Sequence, residues 1–153
     1  MKLSEQPGES WQYQLRRNEA EILRGLIKRF PFTEPEAARI SKTDSDPASA
    51  EREKLLNESL AEHRKDLRTA ALALLRKELW QQSETGTVLT LDAASREILL
   101  QMLNDIRIGV WHALGDPECL DTVPLQPTMQ ELAWRNLMDL AGYFEMQLLA
   151  PEE

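Results

Sequence analysis

A single cysteine, Cys119, stands in the whole chain, so no intramolecular disulfide can form and a reducing compartment is expected. No apolar run approaches the roughly 20 residues that cross a bilayer. The opening MKLSEQPGES also lacks the apolar stretch of a signal peptide. Both absences point to a cytoplasmic protein without a membrane partner. The six glycines are scattered, which leaves no glycine-rich phosphate loop, and no G-x-S-x-G elbow is present for a serine nucleophile. Only two histidines, His63 and His112, occur, and neither an H-E-x-x-H nor a C-x-x-C spacing accompanies them. Glu62, His63 and Asp66, or His112 with Cys119, supply fragments of a ligand set, short of the three or four that a metal site needs. No cofactor, no metal and no catalysis are expected.

Basic charge is scarce too. Eighteen Lys and Arg face 26 Asp and Glu, for a net charge of -8. From Glu118 onward, seven acidic residues stand against Arg135 alone, so that this last part carries -6 and the first 117 residues only -2. Such a balance repels phosphate backbones over most of a surface and makes nucleic acid an unlikely partner. The densest basic run, Arg64, Lys65, Arg68, Arg76 and Lys77, is interleaved with Glu58, Glu62, Asp66 and Glu78. That pattern fits a solvated, ion-paired helix face better than a DNA track.

What is present reads as helix. With 153 residues the chain has room for one domain, 1–153, and one core. Trp11, Tyr13 and Leu15 alternate with polar residues as a half-buried strand does. Asn18 and Glu21 have capping-box spacing and open a helix whose stripe is Ile22, Leu23, Leu26, Ile27 and Phe30. Residues 31–47, with Pro31, Pro35 and Pro47, form an internal proline-containing loop that has room for a short helical turn around Pro35–Ile40. Asp46 before Pro47 caps a long helix running to about Gln81, with Leu56, Leu60, Leu67, Ala70 and Leu74 as its seam and His63 as a core or rim interruption. Val88–Leu91 is a short β-prone run, and Asp92 caps a third helix carrying Ile98, Leu99, Met102, Leu103, Ile106, Val110 and Ala113. Gly115 and Asp116-Pro117 stop that helix. Thr128 and Glu131 open the last one, which buries Ala133, Leu137, Leu140, Ala141, Phe144 and Leu148. The expected fold is therefore mainly α: a four-helix bundle-like core with a small two-stranded sheet, made by the N-terminal strand and the segment before the third helix.

The run Leu103-Asn104-Asp105-Ile106-Arg107, followed by Leu114-Gly115, resembles the bacterial domain-of-unknown-function family numbered twenty-seventeen. The strand-then-helix opening, the proline-rich loop and the aromatic-rich last helix are similar to it as well. The resemblance implies a protein with no assigned enzymatic activity; many actinobacterial members are encoded beside the adaptor of the Clp protease. One actinobacterial branch is a redox-responsive transcriptional regulator with a C-x-x-x-C pair, which this sequence, holding only Cys119, does not reproduce.

Asn104, Arg107 and Trp111 share one side of the third helix at i, i+3 and i+7. They make either a polar recognition spot or a structural set, in which Arg107 pairs with a carboxylate of a neighbouring helix. Gly109 costs about 1 kcal/mol against alanine in a helix interior, and close helix packing above it is the simplest reason for its presence. Of the four tryptophans, Trp80 sits at the polar end of the long helix, where exposure would suit it to an interface anchor. The leading functional expectation is a protein-binding adaptor or regulatory module acting on a protein partner or on itself, with Trp80, Asn104, Arg107 and Trp111 as candidate binding residues. A DNA-binding transcriptional regulator with a basic patch around Arg64 and Arg68 is the alternative. A small-molecule sensor or enzyme, which would need a concave pocket, is the third.

Overall fold

The computed structural model describes residues 1–5, 8–33, 47–118 and 126–150. The elements run β1 (Lys2–Glu5), β2 (Ser10–Leu15), α1 (Arg17–Arg29), α2 (Pro47–Ala73), a 3₁₀ turn (Lys77–Leu79), β3 (Trp80–Ser83), β4 (Gly86–Asp92), α3 (Ala93–Ala113) and α4 (Met129–Leu149). The chain is mainly α, but the small-sheet expectation fails. The sheet has four antiparallel strands in the order β1-β2-β4-β3, in place of two. The pair β2–β4 is its centre, in the register Trp11↔Leu91, Tyr13↔Leu89 and Leu15↔Thr87. The core is accordingly a helical layer on a sheet, and a bundle-like core does not describe it.

Both missing strands are edges, and both are polar. Lys2–Glu5 offers one apolar side chain, Leu3, and Trp80–Ser83 buries only Trp80. An edge strand needs little apolar alternation, because one side of it pairs and much of the rest faces water. The long helix is correspondingly shorter than expected. It ends at Ala73, and the Leu74, Leu75 and Leu79 that seemed to continue its face lie in a turn and the 3₁₀ segment. Gly86 closes the β3–β4 hairpin at φ +154°, where a Cβ would stand 2.1 Å from the Leu15 carbonyl oxygen. Only glycine fits the hairpin against β2 there.

The alternation of β2 and β4 buries Tyr13, Leu15, Thr87, Leu89 and Leu91 on one face. Against that face lie α1, through Ala20, Leu23, Leu26 and Ile27, and α3, through Leu99, Met102, Leu103, Ile106 and Val110. α4 packs along α3 and buries Ala141, Phe144 and Leu148. The N-terminal half of α2 is the exception to its own pattern. Leu56, Leu60 and His63 are exposed, and the apolar burial of the helix begins at Leu67 and Ala71, continued by Leu74 just past its end. His63 is therefore neither in the core nor at its rim.

The caps follow local chemistry. The Asp92 carboxylate accepts from the Ser95 N–H at 2.7 Å, and the Thr128 hydroxyl accepts from the Glu131 N–H at 3.1 Å. α1 starts two residues earlier than a cap at Asn18 would set it: its cap position is Arg16, whose backbone N–H donates to the Glu19 carboxylate. The expected cap at Asp46, the turn at Pro35–Ile40 and Cys119 lie outside the described residues.

Two outcomes follow. The Ser95 N–H and hydroxyl hold the Asp92 carboxyl below its ordinary 3.8, so its cap stabilises the ionised form. Asp92→Ala costs about 1 kcal/mol at neutral pH. Because the folded value is depressed, that difference is full above the ordinary value and is lost as pH falls through the folded one. Urea unfolding of both proteins at pH 7 and pH 2.5 reads it: a gap of equal size at both pH values would contradict the assignment. Second, Arg96 donates from Nε to the Tyr13 hydroxyl (3.1 Å) and from Nη2 to the Leu148 carbonyl (2.5 Å). Arg96→Met therefore lowers stability by about 1.5–3 kcal/mol, as for a lost hydrogen bond to a charged group, and a change below about 0.5 kcal/mol would deny the clamp.

Candidate binding groove

α1 and α4 are linked at one end, where the Tyr143 hydroxyl of α4 donates to the Glu19 carboxylate of α1 at 2.9 Å. Away from that link, α1 is followed forward and α4 backward, so the two helices run in opposite senses. Between them lies a half-open trough of about 520 Å³, within the range of ligand-sized clefts. One wall is Ile22, Gly25, Leu26 and Arg29 of α1, extended by Phe32; the other is Gln130, Ala133, Trp134, Asn136, Leu137 and Leu140 of α4.

Helical periodicity makes both walls. Residues 22, 25/26 and 29, and residues 130, 133/134, 137 and 140, recur every three or four positions and so line one side of each helix. Leu26 turns inward to the core while Ile22 is exposed at the lip. Gly25 sits mid-wall with nothing within 4 Å of where its Cβ would be. Arg29 is the only charged side chain among the described lining residues. Its guanidinium carbon lies 5.4 Å from the centre of the Phe32 ring, a cation–π arrangement that leaves it open to solvent.

A larger recess of about 1090 Å³ runs along β1 and is lined in part by Lys2, Ser4, Gln14, Arg16 and Glu19. Its polar groups answer one another or nearby backbone, as Glu19 does with Tyr143 and Ser4 with the Gln12 carbonyl. The α1–α4 trough is the better apolar receptor.

None of the four residues singled out from sequence lines that trough. Trp80 is 7% exposed, its indole N–H donates to the Leu74 carbonyl at 2.7 Å, and Arg24 stacks over its ring at 4.6 Å. The expectation of an exposed anchor at Trp80 is corrected: the residue begins β3 and plugs the core. Arg107 pairs with Glu145 of α4, a carboxylate that is itself nearly buried. That contact is of the kind the structural interpretation of Arg107 requires. Trp111 is half-buried and donates to the Pro117 carbonyl at 3.1 Å, tying the end of α3 to the chain that leaves it, while Asn104 is exposed.

Gly109 does admit a close neighbour, but a loop residue where a helix was expected. A Cβ there would stand 2.4 Å from the Thr33 hydroxyl. Arg64 reaches the same place, bonding Thr33 Oγ1 at 3.3 Å and pairing with Asp105 at 3.0 Å. Arg64 is thus committed to α3, away from any patch with Arg68. Among the described residues, no group of three His, Cys, Asp or Glu side chains converges as a metal site would.

Sequence reasoning missed the groove because it assigned Ile22, Ala133, Leu137 and Leu140 to the core together with Leu26, which alone of the five is buried there. One signal was legible: Gly25 interrupts the middle of a strong amphipathic stripe, at a cost, for no reason visible in the sequence. With these positions and contacts established, comparison with models of protein families, with curated proteins and with solved structures finds no match.

Gly25 and Gly109 are expected to respond oppositely. Gly25→Ala raises stability by about 0.5–1 kcal/mol, the propensity gain with no steric charge against it. Gly109→Ala lowers it in the parent, because overpacking costs about 1–3 kcal/mol, and raises it once Thr33 is replaced by Ala. Denaturant midpoints of the parent, the three single variants and the Thr33→Ala/Gly109→Ala double variant test both, and a stabilising Gly109→Ala in the parent would refute the Thr33 contact.

Proposed function

We propose that this chain is a cytoplasmic protein-binding module, an adaptor or regulatory domain without catalysis, and that its partner docks in the α1–α4 groove. The observation that carries the proposal is an apolar trough between two helices whose facing sides repeat at helical spacing. Soluble proteins ordinarily close such ridges against a further element, and recognition of a helix in a groove uses this geometry. No helix among the described residues is long and apolar enough to cross a membrane, so the apolar walls are not those of a bilayer span. Membership of the domain-of-unknown-function family is proposed alongside, on Leu103–Arg107 of α3. Trp80 leaves the list of contact residues, because its ring is in the core. Asn104, Arg107 and Trp111 belong to a separate side of α3 and are not assigned to this interface.

The experiment is a tagged pull-down from the native host, with and without nuclease, using the parent and Gly25→Leu. Leucine at position 25 puts a branched side chain into the trough at a point where a Cβ meets open space. The expected result is a stoichiometric protein that survives nuclease and is lost from Gly25→Leu, while thermal unfolding of the variant stays at or above the parent's. A partner retained equally by both would remove the groove from the interface. Recovery that requires nucleic acid would replace this function with the regulator alternative.

A further inference from the structure

The chemistry of the groove narrows what can occupy it. The α1 wall from Ile22 to Arg29 extends over about 10 Å, and the α4 wall from Gln130 to Leu140 over about 15 Å, at 1.5 Å per residue. That is two to three turns of an opposing helix. Ridges at three- and four-residue spacing on two neighbouring helices form the groove into which the ridge of a third helix packs. A continuous trough between them suits such a rod better than a closed cavity would.

Gly25 removes one knob from the α1 ridge and leaves a dimple with no atom within 4 Å of the missing Cβ. A side chain the size of leucine or methionine on the incoming helix can enter it. Arg29 ends the same wall one turn further on, solvent-facing and held over Phe32. No carboxylate is present among the described lining residues to neutralise it. A cation at the end of an apolar trough, on a chain of net charge -8, marks one place where an acidic group is attracted and not repelled.

We infer that the occupant is an amphipathic helix of a protein partner, about ten residues long in contact, which sets an apolar side chain over Gly25 and a Glu or Asp on the Arg29 guanidinium. The inference rests on the protein-binding role proposed above and specifies the partner of that same groove. Its specificity comes from two features of α1: a dimple that selects the apolar register, and one cation that selects the sense in which the helix lies. Asn136 and Gln130 on the opposite wall add polar contacts at the rim and carry no charge of their own.

The test uses the full chain and a displayed library of 16-residue helical peptides, apolar on one face and randomised at the flanking positions. Binders are sorted by their sensitivity to Gly25→Leu and then measured by fluorescence polarisation against the parent, Gly25→Leu, Gly25→Ala and Arg29→Glu. The expected outcome is a Gly25→Leu-sensitive set enriched in Glu or Asp one helical turn from an apolar residue. Those peptides are expected to lose about tenfold or more affinity on Arg29→Glu, and their Glu→Lys versions to regain it on that variant. Sensitive peptides without acidic enrichment, indifferent to Arg29→Glu, would overturn the charge assignment and leave the groove role intact. A library with no Gly25→Leu-sensitive binder would overturn both. A homodimer in light scattering that Gly25→Leu dissociates would place a second copy in the groove and overturn the inference. Gly25→Ala guards against misfolding, since it retains most of the trough and is expected to keep binding.

Discussion

The buried hydroxyl of Tyr13 sets a constraint on which much of the architecture depends. Tyr13 stands on the central strand β2, fully buried, so its hydroxyl must find partners or cost its full desolvation. The last turn of α4 has the complementary problem, because its final carbonyls have no intrahelical donors. The Leu148 carbonyl meets the Tyr13 hydroxyl at 3.3 Å, and Arg96 of α3 bonds both groups while stacking over Trp11 at 4.8 Å. One guanidinium thereby joins the sheet, the start of α3 and the end of α4, using the planar fork that lysine lacks.

That junction decides where α4 lies, and hence where the groove opens. With its C-terminal end fixed to β2 and α3, and Glu145 paired with Arg107, α4 follows α3 along its length. Its one described polar link to α1 is Tyr143 to Glu19, at the beginning of α1. Farther along, α1 is committed to the sheet through Leu23, Leu26 and Ile27, and α4 to α3. The side of each helix that faces the other is left to line a trough. The groove is thus a consequence of how α4 is held against α3, by the burial of Ala141, Phe144 and Leu148 and by the Arg107–Glu145 and Arg96–Leu148 contacts.

How much of this could be read from sequence depended on whether the signal was local. Asp92, Thr128 and Gly115 mark helix ends by nearest-neighbour chemistry, and the structure uses all three. The β2 alternation was legible because its inward face is made of Trp11, Tyr13 and Leu15. β1 and β3 carried no such pattern, since their existence is decided by the strands they border. Leu74–Leu79 kept a helical period while the chain turned, which hid β3 and made Trp80 look exposed. The pairings of Arg64 with Asp105 and of Arg107 with Glu145 span 41 and 38 residues, and no spacing rule reaches so far. The α1–α4 groove was illegible for a plainer reason. An apolar stripe records that a face avoids water, and a groove wall and a core wall do so alike.

Glycine separates those two cases. Gly86 and Gly109 are each explained by an atom that a Cβ would strike, the Leu15 carbonyl oxygen and the Thr33 hydroxyl. Their helix or strand cost is repaid by the close approach they permit. Gly25 has the same intrinsic cost, near 1 kcal/mol against alanine, and no atom there to repay it. Among the described residues, nothing offsets that cost. Native proteins hold such local inconsistencies chiefly where function requires them, and this one lies in the wall of the apolar trough. On the proposed function, the compensating contact is the one that the groove's partner supplies. In that proposal the open space over residue 25 is one side of an interface, and the apolar walls around it are the surface that the partner covers.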